Sequence, residues 1–316
     1  MTTITVLSAA EVHDLLDPTE LRPALEAAMI ALSAGRANVP PRVAAVTPAG
    51  FMAAMPGYLD GTGMAAKLVS VFPGNTDLPS HQGLIAVFDP ATGTPLAITD
   101  AEVITVARTT LCAAIAADVL ARPDAHRLAI LGGGAQAVAH AEMWAPIRPW
   151  SEVIVWNRSP EGAAAVAEAA RREGGQARVV DDVNEAVAAA DVVALCTHAT
   201  EALFDPAALR PGTHVSSVGS QDELPREVAT MASPVVVEWR DSVVVPPPAG
   251  AGELQGLDPA AVVELGDVLA GQAAGRSDSD AITLYKSTGH AVQDVAAARV
   301  VVDAAARYGV GSQISL

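Results

Sequence analysis

The sequence predicts an α/β protein: a doubly wound parallel sheet, plus an α+β domain completed by a C-terminal helix. Three observations lead there. From Arg127 onward, short apolar strands alternate with helical stretches, the rhythm of βαβ units. From Val39 to Asp100, short apolar runs are broken by Pro, Gly and Asp, which is the texture of strands and hairpins. The segment from Ser287 to Tyr308 is helical again, with Ala291, Val295, Ala298 and Val302 sharing one face. At 316 residues the chain suits two domains. We expect them at residues 1–122 with 289–316, and at residues 123–288, with Arg122-Pro123-Asp124 as the linker.

Taken in order, residues 7–34 read as helix. Ser8 and Glu11 form a capping-box pair, and Leu15, Leu16, Leu21, Leu25, Met29 and Leu32 follow at helical spacing. The hairpin region runs through RVAAV, FMAAMP, GMAAKLVSVF, GLIAVFD and PLAITD, with Asp89-Pro90-Ala91-Thr92-Gly93 as a turn. Residues 101–122 return to helix. RLAILGGG, a strand entering a Gly-rich turn, EVIVWNRSP, ARVVDD, DVVALCTH, HVSSVG and PVVVEW are then expected strands, with helices over AQAVAHAEMWAP, PEGAAAVAEAARREG and VNEAVAAA between them. Pro246-Pro247-Pro248 reads as a surface loop.

Composition excludes several functions. Acidic residues outnumber basic ones 36 to 19, a net charge of −17, so the surface repels nucleic-acid phosphates and anionic membranes. No apolar run reaches the length of a bilayer span, and the N-terminal stretch has acids where a signal peptide needs cations. Cys112 and Cys196 stand in apolar stretches without metal or redox spacing, as reduced thiols of a cytoplasmic protein do. No His/Asp/Glu set has ligand spacing, so no metal is expected.

Gly132-Gly133-Gly134-Ala135-Gln136-Ala137 satisfies G-x-G-x-x-A between an apolar strand and a helix. Gly132 permits the tight turn and Gly134 a close approach of a pyrophosphate to the backbone. Ala137 allows helix and strand to pack closely. This is the Rossmann context, with Ala135 and Gln136 opening the helix. About 20 residues on, an NAD site places a carboxylate on the ribose; here Trp156-Asn157-Arg158-Ser159 has none. Asn157 and Ser159 supply neutral hydrogen bonds, and Arg158 a cation for a 2′-phosphate. NADP(H) is preferred, and NAD(H) stays possible.

Cations are scarce in the first 120 residues, so Arg42, Lys67 and Arg108 stand out beside apolar segments. Lys67 interrupts a strand that should be buried, which is costly unless the amine is paired or functional.

The run Lys67-Leu68-Val69, Pro79-Ser80-His81-Gln82, Val87-Phe88-Asp89-Pro90, Ile104-Thr105 and Arg108-Thr109 resembles the ornithine cyclodeaminase/mu-crystallin family. The resemblance continues through Ile130–Ala137, Val155–Ser159, Ala190-Asp191-Val192-Val193, Pro211–Val215, Glu264-Leu265-Gly266 and Leu284-Tyr285-Lys286-Ser287, nearly the whole chain. Pro-Ser-His-Gln and Trp-Asn-Arg-Ser are closer to its mu-crystallin branch. That branch implies NADPH-dependent ketimine reduction at a domain cleft, a small imino- or amino-acid substrate and a homodimer.

Residue by residue, the resemblance makes Lys67 the catalytic lysine and Arg42 and Arg108 the carboxylate holders. Thr109, Thr197 and Val218 join the cofactor contacts. Met55 matches a pocket position, although it equally suits the core, and His81 either orients substrate or serves the structure. Where cyclodeaminases carry an aspartate, the matching position is Gln221, with Asp222 beside it. A neutral amide is no base, which weighs against cyclodeamination. A cyclodeaminase using NAD, an alanine-dehydrogenase type of enzyme and a non-catalytic binding protein stay open as alternatives.

Overall fold

The computed structural model describes residues 2–219 and 222–316, and the chain forms two compact units, Met1–Arg108 with His290–Leu316, and Thr109–Gly289. The first holds β1 (Thr3–Leu7), α1 (Ala9–Leu15), α2 (Pro18–Ser33), β2 (Ala37–Asn38), β3 (Val43–Thr47), β4 (Gly50–Leu59), β5 (Gly63–Val71), β6 (His81–Phe88) and β7 (Pro95–Asp100). α3 (Glu102–Leu120) starts there, and α9 (Ala291–Tyr308) and β16 (Ser312–Ser315) complete it. The second holds β8 (Arg127–Leu131), α4 (Ala135–Met143), β9 (Glu152–Trp156), α5 (Pro160–Arg172), β10 (Ala177–Val179), α6 (Val183–Ala189) and β11 (Val192–Leu195). It continues with β12 (His214–Ser217), α7 (Arg226–Met231), β13 (Val235–Val237), β14 (Val262–Glu264), α8 (Leu265–Leu269) and β15 (Thr283–Lys286).

In the first unit the strand order is β16-β1-β7-β6-β5-β4-β2, with β3 on β4. β1 runs parallel to β7 and the remaining pairs are antiparallel. Odd-numbered residues of β4–β6 point inward, where α9 and α2 cover them. The even-numbered face carries exposed apolar side chains, Met52, Leu68 and Leu84 among them.

The opening helix of the sequence reading is in fact two helices. β1 precedes it, the Ser8–Glu11 capping box starts α1, and Asp17 starts α2 by accepting the Thr19 amide at 2.8 Å, with Pro18 at the first helical position. The cap and proline at Asp17-Pro18 stop one helix and begin the next. The terminal helix starts at Ala291 rather than Ser287, because His290 caps it. β16, exposed throughout, pairs with β1.

The second unit is an all-parallel sheet, β10-β9-β8-β11-β12-β15-β13-β14. Strand order reverses between β8 and β11, the switch point at which doubly wound sheets bind ligands outside the strand ends. At the other end of these strands, buried Asp191 accepts the His126 and Arg127 amides at 3.1 and 3.0 Å. It also accepts Arg122 and Arg210 Nη2, each at 3.1 Å. Arg122 is thus tied into this unit. The units divide within α3, not after it, because α3 is anchored beyond that point: Trp144 Nε1 donates to the Thr110 carbonyl at 3.0 Å. One expectation needs correction: α3 is long and apolar enough to cross a membrane by composition alone, although most of it is buried in the fold. Gln221 lies outside the described residues.

Candidate active site

In the first unit, Lys67 sits on the inward face of β5, in register with Met55 on β4 and Ile85 on β6. Only 4% of Lys67 is exposed. Its ammonium donates to Thr105 Oγ1 at 2.5 Å and to Asp294 Oδ1 at 3.4 Å. Asp294, on α9, also receives Arg108 Nε at 3.1 Å, while Arg108 Nη1 donates to Gln293 Oε1 at 2.7 Å. One carboxylate thus orients two buried cations.

Burial pushes the Lys67 amine down to about 8, against the pull of Asp294, with Arg108 and Arg42 adding to the fall. Burial acts to raise the Asp294 carboxyl, but Lys67 and Arg108 together hold it below the ordinary carboxylate value. Asp294 Oδ2 has no hydrogen-bond partner among the described residues. Arg42, half-buried ahead of β3, is near enough to act on the lysine. Met55 is 7% exposed on the same sheet face. His81 opens β6 on that face, with Ser80 Oγ 3.1 Å from its Nδ1.

Sequence reasoning found the two buried cations and missed what holds them: Thr105, Gln293 and Asp294. A signal was present, since Gln293-Asp294 is a polar pair inside an Ala/Val helix. Burying a carboxylate there demands a cationic partner.

In the second unit, Gly132 has φ +143°, and a Cβ there would lie 2.6 Å from the Cys196 carbonyl oxygen. Glycine is required at this turn. Gly134 caps α4 without any side-chain bond, and a Cβ on it would meet nothing within 4 Å. The first-turn amides of Ala135 and Gln136 are therefore left to an outside acceptor, and the residues present fit a pyrophosphate. The Gln136 side chain accepts from Thr110 at 3.3 Å, next to buried Thr109.

After β9, Asn157 works within the loop: its amide donates to the Ser159 carbonyl at 3.0 Å. Ser159 Oγ caps α5 by accepting the Gly162 amide at 3.1 Å and donates to Glu161 at 2.9 Å. Arg158 is exposed. Thr197 follows β11 and half-buried Val218 follows β12, both at the switch-point ends of their strands. Among the described residues, no three His, Cys, Asp or Glu side chains group as metal ligands.

These features define a dinucleotide-binding α/β protein whose other unit carries a buried Lys–Asp–Arg cluster. The chain belongs to the ornithine cyclodeaminase/mu-crystallin family, whose model it matches over residues 2–308. It is 36% identical to ketimine reductase mu-crystallin of Mus musculus over 314 residues, 94% of this chain and 96% of that one. Among solved structures it is similar to Thermococcus litoralis Δ1-pyrroline-2-carboxylate reductase in complex with NADH and L-proline. The TM-score is 0.92 at 30% identity, covering 98% of this chain and all of that one. An archaeal alanine dehydrogenase dimer with bound NAD matches with a TM-score of 0.90 at 30% identity, over the whole of both chains.

Proposed function

We propose that this protein is a nicotinamide-dependent oxidoreductase that reduces the C=N bond of ketimines or cyclic imines of 2-oxo acids, giving amino acids, with NADPH preferred. The observation that carries the reading is Lys67. It is a buried amine near 8, held between Thr105 and Asp294 beside a fixed arginine, in a family that includes a ketimine reductase and a Δ1-pyrroline-2-carboxylate reductase. When bound, a reduced nicotinamide supplies the hydride that adds to the imine carbon. Arg108, its Nε and Nη1 already committed, and Arg42 hold the substrate carboxylate. The Lys67 ammonium then hydrogen-bonds the imine nitrogen and delivers its proton as the new C–H bond forms. Met55 packs against the substrate body and His81 lies at its margin. Thr109, Gly132, Gly134, Ala135, Gln136, Asn157, Arg158, Ser159, Thr197 and Val218 make up the cofactor side. Two buried cysteines, Cys112 and Cys196, outside any disulfide, suit the reducing cytoplasm.

The test follows absorbance of the reduced nicotinamide with a cyclic imine, with pyruvate and ammonia, and with ornithine. Net oxidation of NADPH by the imine is expected. Oxidation only with pyruvate and ammonia would mean an amino-acid dehydrogenase. Ammonia release from ornithine without net redox change would mean a cyclodeaminase.

For the cofactor, NADPH is expected to bind about tenfold more tightly than NADH, or ~1.4 kcal/mol, through Arg158. Arg158→Ala should remove most of that difference in a titration. Equal affinities in the unaltered protein would reverse the assignment.

The homodimer is proposed from the outward face of the first sheet, where Met52 is 50% exposed and Leu68 and Leu84 are each 37% exposed. A second copy would cover this face. The double variant Leu68→Glu/Leu84→Glu should weaken self-association at least about tenfold in sedimentation equilibrium, since like charges would enter an apolar contact. A monomeric parent protein would refute the dimer.

A further inference from the structure

Behind the strand ends of the second unit lies a buried charged network that the reaction does not consume. Glu223, fully buried, accepts four hydrogen bonds. Its Oε1 receives Ser217 Oγ at 2.8 Å and the Gly219 amide at 2.7 Å; its Oε2 receives the Thr197 amide at 2.8 Å and Thr197 Oγ1 at 2.7 Å. Lys286, at the end of β15, donates to Ser217 Oγ at 2.9 Å, to the Gly219 carbonyl at 2.8 Å and to Glu253 Oε1 at 2.9 Å. All three ammonium protons are thus used. A fully satisfied buried network of this kind rigidifies what it touches.

What it touches is specific. Thr197 follows β11 and Gly219 follows β12, so the Glu223 carboxylate ties the ends of these two strands together. Lys286 and Glu253 brace the tie from below. These strands lie on the half of the sheet across the switch point from β9 and Asn157-Arg158-Ser159. Doubly wound sheets seat the two nucleotides of a dinucleotide on opposite halves. The glycine turn and Arg158 serve the adenosine half, and Thr197 and Val218 the nicotinamide half.

We infer that Glu223 is a positioning residue for the nicotinamide, fixing Thr197 and Val218-Gly219, with Lys286 and Glu253 as its buttress. The inference rests on the dinucleotide part of the proposed function and not on the identity of the imine. Glutamine at position 223 would aim its NH2 at groups that themselves donate, leaving a buried donor without an acceptor. The two strand ends would separate while the glycine turn stays as it is.

The test measures, by calorimetry on the full chain, affinities for NADPH and for 2′,5′-ADP, which has the adenosine half alone. NADH and ADP form a second ligand pair that does not depend on the 2′-phosphate. Glu223→Gln is expected to lower affinity for the intact dinucleotides about tenfold, and to raise KM for them while imine KM moves little. Affinity for 2′,5′-ADP and ADP should stay within about twofold. Thr197→Val, which keeps its shape but loses the hydroxyl's bonds to Glu223 Oε2 and from the Ala199 amide, should show the same selectivity at about threefold. Unchanged dinucleotide affinity in a folded Glu223→Gln protein overturns the inference, as does equal loss for both kinds of ligand. Should Glu223→Gln not fold, Thr197→Val decides alone, and no selective loss there overturns it. A parent protein that binds neither dinucleotide sinks this inference and the proposed function together. One that binds them yet reduces no imine sinks only the proposed function.

Discussion

Replacing Lys67 with methionine is expected to lower kcat/KM for imine reduction by about two to four orders of magnitude, the usual worth of a positioned proton donor. NADPH affinity should stay within about twofold, because Lys67 has no part in the glycine cradle. The fold should survive, because Asp294 keeps Arg108 as its partner and no buried charge is left uncompensated. The pH dependence gives a second readout. With its amine at about 8 rather than the ordinary 10.5, Lys67 is mostly protonated at pH 7 and loses its proton through pH 8. The kcat/KM profile should therefore fall on its alkaline side near pH 8, and Lys67→Arg, which cannot lose its proton there, should abolish that limb. The same depression affects stability. Below pH 8 the cost of burying the charged amine is present in full. Between about 8 and 10.5 the unfolded chain still binds the proton that the folded chain has released, so Lys67's contribution to stability rises with pH across that window. A profile flat to pH 10 would remove Lys67 from proton transfer.

How much of this was legible depended on sequence distance. The glycine turn announced itself because strand, turn and helix are contiguous, so each local signal confirmed its neighbour. Lys67 was legible for a different reason: a lysine among Met64, Ala65, Ala66, Leu68 and Val69 contradicts its own strand, and the contradiction calls for the buried partners it has in Thr105 and Asp294. Its partner was not, since Asp294 lies 227 residues away and meets Lys67 only when α9 packs onto β5. The same holds for β16, whose exposed residues carry no apolar alternation and become a strand only by pairing with β1 from the other end of the chain. Asp17-Pro18 was a readable stop that the leucine spacing on either side concealed. Glu223 stands in a stretch of sequence with no periodic pattern, and its carboxylate is satisfied only by groups at the ends of two strands, β11 and β12.

Replacing Asp294 with asparagine should therefore have consequences that no local reading of α9 would suggest. Asp294 is the counter-charge shared by Lys67 and Arg108, with Arg42 acting on the same lysine. Without it the buried cations repel one another, and the expected loss is about 3–5 kcal/mol of unfolding free energy at neutral pH, the range for breaking a buried ion pair from one side. Asp294 now holds the Lys67 amine up against burial, so its removal should let that amine fall further. The alkaline limb of kcat/KM should then move to lower pH than in the parent enzyme. A purely structural aspartate would lower stability and leave that limb in place. On the acid side, the Asp294 carboxyl lies below its unfolded value, so its contribution is complete above the ordinary carboxylate range and is lost as pH falls through its folded value. Part of the parent protein's acid sensitivity should accordingly be missing from Asp294→Asn in urea unfolding followed across pH. Arg108, no longer held at Nε, should also grip the substrate carboxylate less well, which raises imine KM as kcat falls. An Asp294→Asn protein with parental stability and an unmoved alkaline limb would show that the two cations are held by something other than this carboxylate.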